Sequence, residues 1–170
     1  MHVIVVPYNS NWPVEFARES AAVADALGES CLIVHHIGST SIPGMHAKPI
    51  IDMLPVVRSI GVIDARSAEM KALGYEVMGE FGIRGRRYFR KDDAAGNRTR
   101  QVHTFEAGSP QIARHLAFRD FLRAHPDHAS EYAALKQRLA AQYPSDIEGY
   151  MDGKEAFIKR IDALAAAWIR

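Results

Sequence analysis

Cysteine occurs once in 170 residues, as Cys31. A lone thiol cannot close an internal disulfide, and its place inside the apolar run CLIVHHI reads as packing rather than chemistry. No apolar stretch reaches the length of a membrane span. The first residues, MHVIVVPYNSNW, carry neither the basic region nor the long apolar region of a secretory signal, so the expected setting is the cytoplasm with no membrane partner. Neither sign of charge prevails: 21 Lys and Arg face 20 Asp and Glu, a formal net charge of +1. Bulk charge therefore calls for neither nucleic acid nor a lipid surface. Internal repeats, low-complexity tracts and linkers are missing too. What remains is a length and an apolar fraction of 48% that suit one domain with a sizeable core.

The chain order of patterns points to an α+β fold. Pro13 stands where a first helical turn tolerates it, and PVEFARESAAVADALG runs at helical spacing to Gly28. CLIVHHI reads as a strand ended by Gly38, and PIIDMLPVV as the next, fully buried one. GVIDARSAEMKALG predicts a short helix and YEVMGEFGI a strand. RRYFRK and TRQVHTFEA flank the turn-rich DDAAGN and predict an antiparallel pair. From Ser109 the pattern turns helical. Ser109-Pro110 opens one helix and Pro126 another, and Ser145 to Glu148 has the spacing of a capping box before a last helical stretch. The layout is one domain over 1–170, sheet-rich to 108 and helical from 109.

The stretch that stands out is HHIGSTSIPGMHAKPIIDM, residues 35 to 53. A strand ending in Gly38-Ser39 and turning toward a helix presents free backbone amides beside hydroxyls, a combination that cradles phosphate. Fourteen positions later Asp52 sits in the middle of the next strand. If the strands are adjacent, its carboxylate shares the cleft, where it can hold a divalent cation bridging to phosphates. The plainer reading makes Asp52 a buried acid capping a loop or paired with arginine. For Ser39, Thr40 and Ser41 the plainer reading is ordinary turn chemistry.

Between Arg84 and Arg100 the chain carries seven basic residues against Asp92 and Asp93. Alternation on a strand puts Arg86, Tyr88 and Arg90 on one face and Arg87, Phe89 and Lys91 on the other. One arginine therefore faces whatever the sheet covers, and its planar fork suits polyphosphate. The alternative is a solvated hairpin guarding a sheet edge, and nucleic acid is an unfavoured partner because no recognition motif accompanies the charge. Gln101, His103 and Phe105 share a face, so His103 can bind metal, accept a proton or bond a phosphate, or simply be structural. Lys48 and Lys154 can neutralise phosphate. Lys154 draws weight from Asp152-Gly153, read as a break that exposes amides at a new helix start.

HIGSTSIPGMHAKPIID resembles the GrpB-like family of the DNA polymerase β-type nucleotidyltransferase superfamily, whose signature is Gly-Ser, a spacer and a strand with an acid at its centre. The likeness continues through GEFGIRGRRYFRK, VHTFEAGS, FRDFLRAHP, YAALKQRLA and GKEAFI, nearly the whole chain. It implies a nucleotidyltransferase-like mixed sheet carrying an N-terminal helix and a helical C-terminal portion. It also implies a nucleoside triphosphate held by Gly38, Ser39, Thr40, Ser41, Lys48, Arg86, Arg87 and Lys154, with Asp52 and His103 catalytic. The superfamily usually has a second acid two residues on, where this chain has Leu54. Two cations about 3.5–4 Å apart need several carboxylates, so Mg²⁺ on Asp52 needs help, from Glu80 or else Glu76. GrpB-like domains also occur joined to dephospho-coenzyme A kinases. The competing reading is thus a non-catalytic module for a nucleotide or coenzyme A-related ligand, its metal site degenerate. Placing a carboxylate near Asp52 favours the enzyme, and an apolar surround favours the module.

Overall fold

The computed structural model describes residues 2–169. Helix α1, Trp12–Leu27, has its proline in the first turn and ends at Gly28, whose N–H donates to Ala24 O. Five strands follow: β1 (Cys31–Ile37), β2 (Ile51–Val57), β3 (Glu76–Gly79), β4 (Arg87–Asp92) and β5 (Arg98–Glu106). They lie in the order β1-β2-β5-β4-β3. β1 is antiparallel to β2, β2 parallel to β5, and β4 antiparallel to both β5 and β3. The sheet is mixed, as the α+β reading expects.

Strand alternation sorts the two faces. Ile51, Met53 and Val57 of β2 point toward α1 and join Trp12, Leu27, Phe89 and Val102 in one buried cluster. Leu54 and Val56 point the other way, with Ile37 and Phe105, and meet Ile112 and Leu116 of α4 (Pro110–Ala124). Asp52 alternates with Met53 and so lies on the α4 side. Helices α5 (Pro126–Gln142) and α6 (Ile147–Trp168) complete a layer with α4 around Phe121, Tyr132, Phe157 and Ile161. That layer also takes Ile42 and Met45 from the loop between β1 and β2. Each such side chain, fully buried, contributes about 1.5–3 kcal/mol. No helix among the described residues is long and apolar enough to cross a membrane.

Four local expectations are corrected. The stretch after β2 forms α2 (Ile60–Ile63) and α3 (Ser67–Ala72) around a 3₁₀ turn rather than one helix. There the Ser67 hydroxyl donates to Asp64 O at 2.9 Å, taking a carbonyl that a continuous helix would use. β3 stops at Gly79 because its pairing with β4 slips after Val77, and residues 80–86 close local turns instead. The cap of α6 is Asp146, accepting from Gly149 N, not Ser145. Finally, α6 runs unbroken through Asp152-Gly153, so no helix start precedes Lys154.

Candidate functional site

Ile37 lies opposite Asp52 in the β1–β2 register, so the next residue must cross directly over the carboxylate. Gly38 does so at φ +74°, and a Cβ there would stand 2.6 Å from Asp52 Oδ2. Only glycine permits both the left-handed backbone and that approach. The short 3₁₀ turn Ser39–Ser41 follows. Two of its hydroxyls are already engaged, Ser41 within the turn and Thr40 with its neighbours. Thr40 Oγ1 donates to Ile50 O at 3.1 Å and so accepts from His36 Nε2 at 3.0 Å, while Ser41 Oγ donates to Gly38 O. Burial pushes His36, stacked on Phe16, down to about 4, so this ring is neutral. Ser39 lines the cleft together with Tyr132.

The parallel β2–β5 pairing sets Asp52 beside Gln101, and His103 stands two residues on, facing the same side. Arg86 enters through the turn before β4. Its Nη1 donates to His103 Nδ1 at 3.3 Å, Nε to Glu80 O at 3.2 Å and Nη2 to Phe81 O at 2.9 Å. Arginine has no acceptor, so Nδ1 is the unprotonated nitrogen of His103. Its Nε2–H therefore donates to Asp52 Oδ1, at 3.1 Å. Arg86, buried and stacked over Tyr88 at 4.7 Å, thereby orients the histidine that orients the acid. Burial lowers the proton affinity of its guanidinium without discharging it. His115 of α4 also lines the cleft, pushed down to about 3 by burial and then by Arg114, His103 and Arg86.

The opposite wall comes from α5 and α6. Tyr132 and Lys136 are four apart on α5, and Tyr150 and Lys154 are four apart on α6, so each lysine reaches over its own tyrosine. Lys136 Nζ stands 4.3 Å from the Tyr132 ring centre and Lys154 Nζ 4.6 Å from that of Tyr150. Lys48 covers Tyr150 at 5.3 Å from the β1–β2 loop. The helices approach closely at Gly153, where a Cβ would stand 2.5 Å from Leu139 Cδ2, one turn beyond Lys136. All three lysines line one cleft of about 460 Å³ with Gly38, Ser39 and Asp52. Burial pushes Lys136 down to about 6, helped by Lys154 and Lys48. Lys154 falls to about 8, by burial and then Lys48, against Asp52. Burial lowers Lys48 as well, although Asp52 opposes it. Lys136 Nζ and the Tyr150 hydroxyl are buried with no hydrogen-bond partner among the described residues.

Lys136 and Tyr150 escaped the sequence reading. Their signal was the repeated Tyr-x₃-Lys in consecutive helices, which gains meaning only when the helices face each other. Other expected residues lie elsewhere. Arg87 points to the α1 side and pairs with Asp64 through Nε at 2.7 Å. Glu80 accepts from Gly85 N at 2.6 Å within the turn, Glu76 pairs with Arg90 at 3.0 Å, and neither lines the cleft. The basic segment is laced with acids, including Lys91 with Glu19 and Arg100 with Glu15. Leu54 is fully buried in its apolar cluster. No group of three or more potential metal ligands exists among the described residues. One carboxylate, already bonded to His103 and facing three amines, does not fit a two-cation site. The surround combines three lysines with apolar walls from Ile37, Ile50, Ile147, Met151 and Ile158, and holds no second carboxylate among the described residues.

Residues 2–163 match the family described as GrpB protein, and the chain belongs to that family. It is 49% identical over 166 residues to the UPF0157 protein YqkA of Bacillus subtilis, covering 98% of this chain and 48% of that one. It thus corresponds to about half the length of that relative. A dephospho-CoA kinase of Mycolicibacterium paratuberculosis is 29% identical, over 98% of this chain and 46% of its own. The crystal structure of GrpB from Enterococcus faecalis superposes with a TM-score of 0.91 and 46% identity, covering 95% of this chain and 96% of that one. Cid1 bound to a UTP analogue is far more distant, at 10% identity and a TM-score of 0.48 over 78% of this chain and 44% of its own, too remote to carry chemistry across.

Proposed function

We propose that the cleft between β2, β5 and the α5–α6 pair binds a small molecule carrying a diphosphate or triphosphate, within a nucleotide or a coenzyme A-related compound. One observation carries this reading: Lys48, Lys136 and Lys154 line one cleft with a single carboxylate, Asp52, which already accepts from His103. Crowded, desolvated amines lack both countercharge and acceptors, and a polyphosphate supplies both. Gly38 and Ser39 add backbone and a hydroxyl to the same space. Asp52, fixed by His103, is then left to accept a hydrogen bond from a ligand hydroxyl. The match to a dephospho-CoA kinase supports including coenzyme A compounds in the ligand class.

Nucleotidyl transfer through Mg²⁺ on Asp52 is less well supported, because the amines occupy the place where further carboxylates would be needed. Titration calorimetry with tripolyphosphate, ATP and coenzyme A, in EDTA and again in Mg²⁺, separates the two. The expected result is binding in EDTA that weakens by at least about tenfold in Lys154→Met, the loss of one ammonium contact. Binding that requires Mg²⁺ and disappears in Asp52→Asn would overturn this reading in favour of the metal-dependent one. No binding by any of the three would remove the phosphate ligand altogether.

A further inference from the structure

A phosphate site needs ammonium groups, yet Lys136 is poorly placed to be only that. Of the three lysines, Lys48 is partly exposed and Lys154 is 8% exposed, whereas Lys136 is 1% exposed. An ammonium carries three donors, and burying it without acceptors is expensive. A free amine is a far smaller liability in the same place, and the Tyr132 ring beneath it at 4.3 Å offers a face but no acceptor lone pair. The depression of Lys136 to about 6, by burial and two neighbouring lysines, agrees with that geometry. A desolvated lysine beside other cations is the arrangement that leaves an amine nucleophilic at neutral pH.

We propose that Lys136 is a nucleophile, forming an imine with the carbonyl carbon of a phosphorylated aldehyde or ketone whose phosphate is held by Lys48, Lys154 and the Gly38–Ser39 turn. The inference rests on the phosphate reading above. In the reaction the Nζ lone pair attacks the carbonyl carbon and the carbonyl oxygen takes up a proton, giving a carbinolamine. Nitrogen then loses its proton, the C–O bond breaks, and the oxygen leaves as water. Amine plus carbonyl gives imine plus water, with no oxidant or reductant. Lys154, at about 8, carries a proton at neutral pH and lines the same cleft, so it can protonate the departing oxygen.

The test uses pyridoxal 5′-phosphate and 5-deoxypyridoxal, which lacks the phosphate and cannot close to a hemiacetal, as carbonyl probes, each trapped with borohydride and mapped by peptide mass spectrometry. Lys136 should carry the label from the phosphorylated probe at least about tenfold faster than from 5-deoxypyridoxal, the worth of one good phosphate contact. Pyrophosphate should protect it, and Lys136→Met should lose it while keeping a native circular dichroism spectrum. Label confined to Lys154, or to exposed lysines such as Lys71 and Lys159, would overturn the nucleophile. If pyrophosphate still competed with the phosphorylated probe in that case, the phosphate cleft itself would stand. Equal labelling by both probes with no protection would sink the cleft as well as the nucleophile.

Discussion

Gly38 joins the backbone to the chemistry of the cleft at a single atom position. Its Cα lies so close to Asp52 that any side chain must displace the carboxylate or the strand end. Gly38→Ala is therefore expected to cost about 1–3 kcal/mol, from the left-handed backbone and the forced shift together. It should also break the Asp52–His103 hydrogen bond and weaken ligand binding. Urea unfolding of the variant gives the cost, and an unchanged midpoint would mean that the close approach is absent. The neighbouring hydroxyls behave differently, because Ser41 bonds within the turn, Thr40 ties the turn to Ile50 and His36 at the cleft's edge, and Ser39 lines the cleft. Three adjacent residues of similar chemistry thus have separate tasks, assigned by where the turn aims them.

At the scale of elements, the cleft depends on how closely α6 meets α5. Gly153 sits inside α6, where alanine would improve intrinsic helix stability by about 1 kcal/mol. The added methyl, however, would run into Leu139, itself 5% exposed and packed with Val3 and Tyr150. Overpacking of this kind costs about 1–3 kcal/mol. The sign of the change is the informative quantity. Gly153→Ala should lower the thermal midpoint and reduce affinity for polyphosphate, since Lys154 moves with its helix. A raised midpoint would show that the two helices stand farther apart than this structure has them.

For the whole molecule the buried histidines and lysines act in one direction, while Cys31, Tyr75, Tyr132, Tyr150 and Asp162, raised by burial, act in the other. His36 and His115 fall to about 4 and about 3, and Lys136 and Lys154 to about 6 and about 8, each chiefly by burial. Between the lowered value and the ordinary one, the unfolded chain binds the proton and the folded chain does not. Stability therefore rises with pH across each window, by at most about 1.4 kcal/mol per pH unit and proton. His36 acts between about 4 and the ordinary 6.5, His115 between about 3 and the same upper value, and Lys136 between about 6 and the ordinary 10.5. Denaturant unfolding should give a protein that loses stability on acidification through the histidine window. It should gain stability from neutral to mildly alkaline pH, and Lys136→Met should flatten that second limb. A flat alkaline limb in the wild type would mean that Lys136 is charged in the folded state.

Local pattern made much of this legible. The β-branched runs gave β1 and β2, prolines and Ser109 opened helices, and period-two alternation separated Arg86 from Arg87 before any neighbour was known. The expectation that Gly38, Asp52 and His103 meet needed only adjacent strands, which β1–β2 and β2–β5 provide. The cap of α6 and the end of β3 were misread because caps and bulges are decided by one or two hydrogen bonds that pattern does not encode. Asp152-Gly153 was misread as a break because glycine in a helix can serve close packing instead of a turn. Lys136 was invisible because a lysine on an amphipathic helix ordinarily faces water.

The sequence by itself determined the α+β class, the Gly38-Ser39 turn that ends the first strand, and the single acid that Leu54 leaves on the next. Only the tertiary structure decided that α5 and α6 close against the sheet and carry two Tyr-x₃-Lys pairs into the cleft. The reason is physical. Local propensity and alternation act within a few residues, whereas the desolvation that lowers the proton affinity of Lys136 arises only when elements distant in the chain exclude water together.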